Sequence, residues 1–275
     1  MYSTKNWKNQ NPKNNKRRIS MSLLENIKSG KEPMPPRLMI YGVEGIGKSM
    51  FAASAPKSVF IQTEDGLSEI DCYKFPLANT FSEVTDALHV LHQEAHDFQT
   101  VAIDSLDWME RLIFDEVCRE YGVRSIEKAD GGYARGYTHA LTHWRKVLNL
   151  LESLRNEKGM ACILIAHSKI EKFEDPESSA YDRYSPRLHK HANALISEWV
   201  DAVLFATRRF RVQKEDAGFN RERTIAAPVG ADGGERIMRT VGGPACVAKN
   251  RYGLPGELPL SWDALMAAMA NGDSA

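Results

Sequence analysis

Apolar residues fall into short blocks along most of the chain, and the blocks alternate between two periods. Arg37–Tyr41, Ser58–Gln62, Thr100–Asp104, Met160–Ala166 and Asp201–Thr207 are brief runs, apolar at most positions, as strands buried on both faces are. Helical spacing fills the intervals. Ser49–Ala55 predicts a short helix stopped by Pro56, and Thr80–Asp97 a longer one opened by a Thr80/Glu83 capping box. Leu106, Met109, Ile113 and Val117 repeat at helical spacing up to Gly122; Leu141, Trp144, Leu148, Leu151 and Leu154 do so up to Gly159. Arg221–Ala227, Glu235–Val241 and Ala245–Ala248 then predict an antiparallel extension, and Ser261–Ala270 a closing helix with Ser261 as its N-cap. Strands alternating with helices predict an α/β fold: a mostly parallel central sheet flanked by helices, with an antiparallel C-terminal extension.

The pattern fails at the N-terminus. Residues 1–21 are polar and Lys/Asn-rich; Lys5, Lys8, Lys13, Lys16, Arg17 and Arg18 face no acid within the first 18 positions. They predict a disordered basic arm, with contact to nucleic acid as the alternative reading. A short helix over Ser22–Gly30 and a Pro-rich linker (Pro33, Pro35, Pro36) complete 22–35, and 36–275 reads as the core domain.

Composition narrows the class. With 275 residues, 43% of them hydrophobic, and 36 basic against 36 acidic side chains, the chain can bury a substantial core. Its longest apolar run, Met160–Ala166, is too short to span a bilayer, and no apolar segment of a secretory signal stands at the start. Cys72, Cys118, Cys162 and Cys246 form no CxxC pair, which argues against a zinc ribbon or disulfide scaffold and for a reduced, cytoplasmic protein without a membrane partner.

Gly42-Val43-Glu44-Gly45-Ile46-Gly47-Lys48-Ser49 fits G-x-x-x-x-G-K-[ST] at every fixed position, after a predicted strand and before a predicted helix. Glycines there let backbone N–H groups curl around phosphate oxygens. Lys48 would bridge the β- and γ-phosphates, Ser49 would ligate Mg²⁺, and Met50 would close the nucleotide-binding segment. Asp104, at the end of an apolar strand, supplies the second Mg²⁺ anchor, with helix N-cap as the plainer alternative. Glu64, just beyond Val59-Phe60-Ile61-Gln62, reads equally as a base for the attacking water or as a solvated turn acid. His167, at the end of Ile163–Ala166, is by spacing more often structural than a phosphate sensor.

The order of these pieces resembles the RecA/RadA recombinase core, and most of all the compact phage-encoded RecA-like ATPases, a group that includes single-strand-annealing recombination proteins. The resemblance spans about residues 36–265. It rests on the P-loop, Val59–Gly66, Ile103-Asp104-Ser105, Leu164-Ile165-Ala166-His167-Ser168-Lys169, Trp199–Phe205 and Val247-Ala248-Lys249-Asn250-Arg251-Tyr252-Gly253. The last is similar to the Lys-Asn-Arg-Phe-Gly signature of RadA, with Tyr for Phe. No Cys-rich zinc module, protease-like domain or extended C-terminal domain is expected.

The resemblance implies a RecA-like P-loop NTPase that uses ATP and Mg²⁺. It makes Glu64 the catalytic base and His167 the sensor that couples nucleotide to DNA. It sets Lys249 and Arg251 across a subunit interface at a neighbour's ATP. It implies self-association as a ring or filament on single-stranded DNA, a single-strand DNA-binding protein as a further partner, and the host cytoplasm as the location if the chain is phage-encoded. DNA-binding loops are expected at Tyr121–Tyr137, with Arg124, Lys128 and Arg135, and at Ser168–His191, with Lys169, Arg183 and Arg187. Cations and aromatics serve a single strand's phosphates and bases. Function is then a DNA-stimulated ATPase in recombination or strand annealing. The alternative is an ATP-dependent DNA-binding scaffold or replication accessory protein that hydrolyses little; a small-molecule kinase is disfavoured, since no Arg-rich lid is visible.

Overall fold

A computed structural model describes residues 27–30, 32–176, 179–216, 222–228 and 234–272. The basic arm, residues 22–26 of the expected first helix and Arg221 of an expected strand lie outside them; residues 27–30 of that helix are irregular. The site described below belongs to the unit Met34–Ala275.

Six parallel strands form the centre: β1 (Arg37–Gly42), β2 (Ser58–Gln62), β3 (Tyr73–Lys74), β4 (Thr100–Asp104), β5 (Ala161–Phe173) and β7 (Ala202–Arg208), in the order β3-β2-β4-β5-β1-β7. β10 (Arg236–Arg239) continues the sheet antiparallel to β7, and β12 (Glu257–Pro259) antiparallel to β10. β11 (Lys249–Asn250) pairs with the start of β7, β6 (Tyr181–Pro186) with the end of β5, and β8 (Phe210–Asp216) with β9 (Glu222–Pro228) as a separate hairpin. The expected fold class stands: a mostly parallel sheet between helices, with an antiparallel C-terminal side.

Alternation along the strands explains the layers. Leu38, Ile40, Phe60, Ile163, Ile165 and Leu204 face one side, where Phe51 of α1 (Lys48–Ala53) and Trp262 and Leu265 of α6 (Trp262–Gly272) cover them. Met39, Tyr41, Ile61, Ile103, Leu164 and Phe205 face the other, beneath α2 (Phe81–Gln93), α3 (Leu106–Glu120), α4 (Arg135–Lys158) and α5 (Lys190–Trp199). Both sides are buried, which is why the strands read as continuous apolar runs. The Thr80/Glu83 capping box forms as expected and opens α2.

Three expectations change. Ser168–His191 is not a patternless loop: β5 runs on to Phe173 and returns as β6. Two of its acid–base pairs face each other across the strands, Glu171 opposite Arg183 and Lys172 opposite Asp182. Such a two-sided polar hairpin is held by its side-chain pairs and leaves no apolar alternation to read. The Tyr121–Tyr137 segment is shorter than expected, because α4 begins at Arg135; a 3₁₀ turn fills Ile126–Gly131. Ala245–Ala248 is not a strand; the strand pairing with β7 is Lys249–Asn250 itself.

Candidate functional site

The phosphate loop leaves the C-terminal edge of the sheet at Gly42, level with His167 on β5 and Ala206 on β7. A Cβ at Gly42 would meet the Ala206 carbonyl oxygen at 2.3 Å, so this crossing admits only glycine. Gly45 and Gly47 take φ of 70° and 109°, which a side chain would strain. The loop borders a cleft of about 340 Å³, whose walls include Lys48, Ser49, Glu64, Asp104, His167 and Arg236.

Lys48 is buried, and its Nζ donates to the Gly42 and Val43 carbonyls at 3.0 and 2.9 Å. Burial lowers its pKa, while Asp104 and Glu44 pull it back up. Ser49 Oγ donates to Asp104 Oδ2 at 2.6 Å. Burial raises the Asp104 carboxyl above its usual range, and the Ser49 hydrogen bond opposes that. One hydroxyl and one carboxylate oxygen side by side at the loop are hard donors of the kind that fit Mg²⁺ while leaving positions for water and phosphate. Ser49 and Asp104, the two expected metal anchors, are these donors.

Glu64 follows β2, and its Oε2 accepts from Ser105 Oγ at 2.9 Å. It lies 3.8 Å from His167 Nδ1. His167 is buried and its Nδ1 sits 3.1 Å from both Asp107 carboxylate oxygens; its backbone N–H also donates to Asp107 Oδ1. Asp107 further accepts from Arg187 Nε and Nη2 at 3.1 and 2.7 Å. Burial pushes the Asp107 carboxyl up, but hydrogen bonds from His167 and Arg187 outweigh it and hold the group well below the carboxylate range. The structure therefore gathers Lys48, Ser49, Asp104, Glu64 and His167 into one cluster.

The expected DNA contacts divide. Arg124, Lys128 and Arg135 are exposed around the 3₁₀ turn. Lys169 donates to the Leu188 carbonyl at 2.8 Å, and Arg183 pairs with Glu171 at 3.1 Å while covering the Phe173 ring. Arg187 is elsewhere: its guanidinium lies at the phosphate loop, with Nη1 3.5 Å from Glu44.

Lys249 and Arg251 lie at the opposite, N-terminal edge of the sheet, where Lys249 pairs with Val203 and the Arg251 N–H donates to the Asp201 carbonyl. Lys249 Nζ donates to the Ser197, Glu198 and Val200 carbonyls at 2.7, 2.9 and 2.6 Å, closing the end of α5. Arg251 is half-exposed and loosely held, at 3.5 Å from Asp201 and 3.4 Å from the Glu198 carbonyl.

Two residues at the site, Asp107 and Arg236, were not singled out in the sequence, and a third, Arg187, was expected on a DNA-binding loop. Asp107 stands three residues after Asp104, one helical turn into the site, so its spacing was a usable signal. Arg187 was seen but assigned to a loop. Arg236 gave no signal: β10 register sets it opposite Arg208 at the end of β7, and its Nη1 would touch a Cβ at Gly47 at 3.1 Å.

A strand, a glycine-rich loop, a buried lysine on the following helix and an acid on a neighbouring parallel strand define a P-loop NTPase. The AAA domain family, a P-loop ATPase family, matches residues 34–252, and the chain belongs to it. The chain is also similar to the SPbeta prophage-derived uncharacterized protein YorG of Bacillus subtilis (strain 168), 24% identical over 172 residues. That stretch is 61% of this chain and 49% of the relative, so the match spans about half the relative's length. Among the described residues no helix is long and apolar enough to cross a membrane.

Proposed function

We propose that this P-loop ATPase is a RecA-like motor that hydrolyses ATP when it assembles on single-stranded DNA, and that it serves recombination or strand annealing in a phage setting. The observation that carries this reading is the continuity of β5. The strand that ends the phosphate site at His167 runs without a break into the hairpin bearing Lys169, Lys172, Phe173, Tyr181 and Arg183. Cations and aromatics on one ribbon are what a single strand's phosphates and bases require. The prophage origin in the relative's name supports the setting.

In this reading Lys48 leaves its backbone carbonyls for the β- and γ-phosphates. Ser49 and Asp104 hold Mg²⁺, which neutralises charge on the phosphoryl oxygens when bound. Glu64 takes the proton of the attacking water, and Ser105 Oγ orients the carboxylate. The trans-acting cation proposed for a neighbour's ATP falls mainly to Arg251, because Lys249 has its three donors on carbonyls of its own chain.

The test is phosphate release with and without a single-stranded oligonucleotide. Stimulation is expected, and Glu64→Gln should bind ATP while losing on the order of 10²-fold in kcat. ATP turnover indifferent to DNA would remove the DNA-dependent reading. A Glu64→Gln enzyme as fast as the parent would return Glu64 to a turn acid.

A further inference from the structure

We propose that Arg187 contacts the terminal phosphate of the nucleotide bound in its own chain, exchanging Glu44 for the γ-phosphate, and so distinguishes triphosphate from diphosphate. The inference rests on the reading of the cleft as a nucleotide site and adds to it a residue and a specificity.

The geometry is that of a guanidinium held from behind. Nε and Nη2 are fixed on Asp107 Oδ2 at 3.1 and 2.7 Å, and the Asp107 side chain is only 4% exposed. The backbone fixes the same place, since the Arg187 N–H donates to the His167 carbonyl at 2.8 Å. The Nη1 edge is left pointing at the phosphate loop. Its neighbour there is Glu44, at 3.5 Å, in the third position of the motif.

Glu44 is a weak holder. Its side chain is 70% exposed, and an exposed ion pair at that separation contributes little. A γ-phosphate offers more negative charge and three acceptor oxygens, which suit a planar fork better than one solvated carboxylate oxygen does. With a diphosphate bound, nothing competes and Arg187 stays on Glu44. Arg187 thus reads the one group that hydrolysis removes.

Its position gives that reading an outlet. Arg187 follows Pro186, the last residue of β6, and β6 is the return strand of the hairpin. His167 and Arg187 share Asp107 as acceptor and are joined by a backbone hydrogen bond, so the two strands of the hairpin are clipped together beside the phosphate loop. Lys169 and Arg183, a few residues further out, are engaged within the hairpin and make no such reach.

The test measures affinity of the full chain for MgATPγS and MgADP by displacement of a fluorescent ADP, for the parent, Arg187→Ala, Arg187→Lys and Glu44→Gln. Arg187→Ala should weaken triphosphate binding roughly 10- to 100-fold, as loss of a charged hydrogen bond does, and leave MgADP affinity unchanged. Glu44→Gln should strengthen triphosphate binding, because the competitor for Nη1 is gone. If Arg187→Ala does not fold, Arg187→Lys keeps a charge beside Asp107 without the fork and should show the same selective loss in smaller degree. An unchanged triphosphate-to-diphosphate ratio in the folded variant overturns the proposal. So does an unchanged ratio accompanied by a flatter salt dependence of oligonucleotide binding, which would make Arg187 a DNA contact. If the parent binds neither nucleotide, the nucleotide site itself falls and the inference with it.

Discussion

At the entrance of β1, the Arg37 guanidinium donates to Asp201 at 3.1 and 2.7 Å and to Glu152 at 2.9 Å. At the exit of the same strand, Lys48 rests on the carbonyls of its own loop. The two edges of the sheet both concentrate charge, and they differ in how completely the charge is answered. At the N-terminal edge Asp201 also accepts from the Arg37 N–H and from Tyr252, Trp199 Nε1 donates to Glu152, and Lys249 closes α5. At the C-terminal edge Arg236 has no carboxylate partner among the described residues, Glu64 is nearly a third exposed, and Arg187 keeps one edge on a solvated acid. A saturated cluster holds a structure in one state. An unsaturated one, lining a cleft, leaves donors and acceptors for a ligand.

The contrast is broken most directly by Lys48→Ala. If the open edge is for phosphate, loss of this cation should lower ATP turnover by at least about 10²-fold, with the melting temperature held. Turnover near the parent rate would make the C-terminal edge as structural as its counterpart. Asp201→Ala is the mirror experiment. It leaves Arg37 with Glu152 as its one remaining carboxylate partner at a mostly buried place and should destabilise the protein by roughly 3 kcal/mol, a melting shift of roughly 10 °C, with nucleotide affinity of the folded protein intact. A variant as stable as the parent would show that the N-terminal edge is not saturated in any sense that matters.

pH sharpens the comparison with a smaller effect. On α3, burial raises the Glu110 carboxyl to about 7, although the His189 N–H opposes the rise. Below about 4.5 it is protonated folded or unfolded; between 4.5 and 7 the unfolded chain releases the proton and the folded one keeps it. Its contribution therefore turns against folding as pH rises through that window, on the order of 3 kcal/mol in all. Asp201 has the other sign: burial favours its neutral form, but Arg37 prevails and holds its pKa low, so its contribution is lost only in acid. Glu110→Gln should flatten the fall in stability between pH 5 and 7, measured by melting, and leave the acid limb unchanged. A Glu110→Gln profile that still falls across that window would assign the neutral-pH sensitivity elsewhere.

How much of this the sequence displayed follows from the range of each interaction. The P-loop, Asp104 and the buried strands are local patterns, and each was readable where it stood. Thr80/Glu83 closed its capping box within four residues. The hairpin Ser168–His191 was unreadable because its order lies between strands: Glu171 meets Arg183 and Lys172 lies opposite Asp182 only once the register is set. Arg236 enters the cleft through the pairing of β10 with β7, and Arg187 through Asp107, eighty positions away in sequence. The Lys249–Gly253 block shows the converse. Its residues were conspicuous, and the edge on which they lie could not be read from them.

That block gives the smallest and most discriminating prediction. Lys249 lies beside the last carbonyls of α5, where a cation satisfies acceptors that no further turn can reach. Burial and the nearby Arg251 lower its pKa, while Asp201 pulls it back up, and three carbonyl hydrogen bonds fix the ammonium in place. Lys249→Met keeps the stem and removes the donors; it should cost about 1 kcal/mol, the scale of a charged cap at a helix C-terminus, with ATP turnover per folded molecule retained. Arg251→Ala removes only two long contacts and should hardly move the melting temperature. If subunits share the site, it should abolish ATP turnover, and mixing with inactive Lys48→Ala subunits should restore part of it. Stability lost through Arg251 with turnover kept would place both residues with the saturated edge. Turnover lost through Lys249 in a protein of parent stability would instead free it from α5 and give it to the neighbour's phosphate.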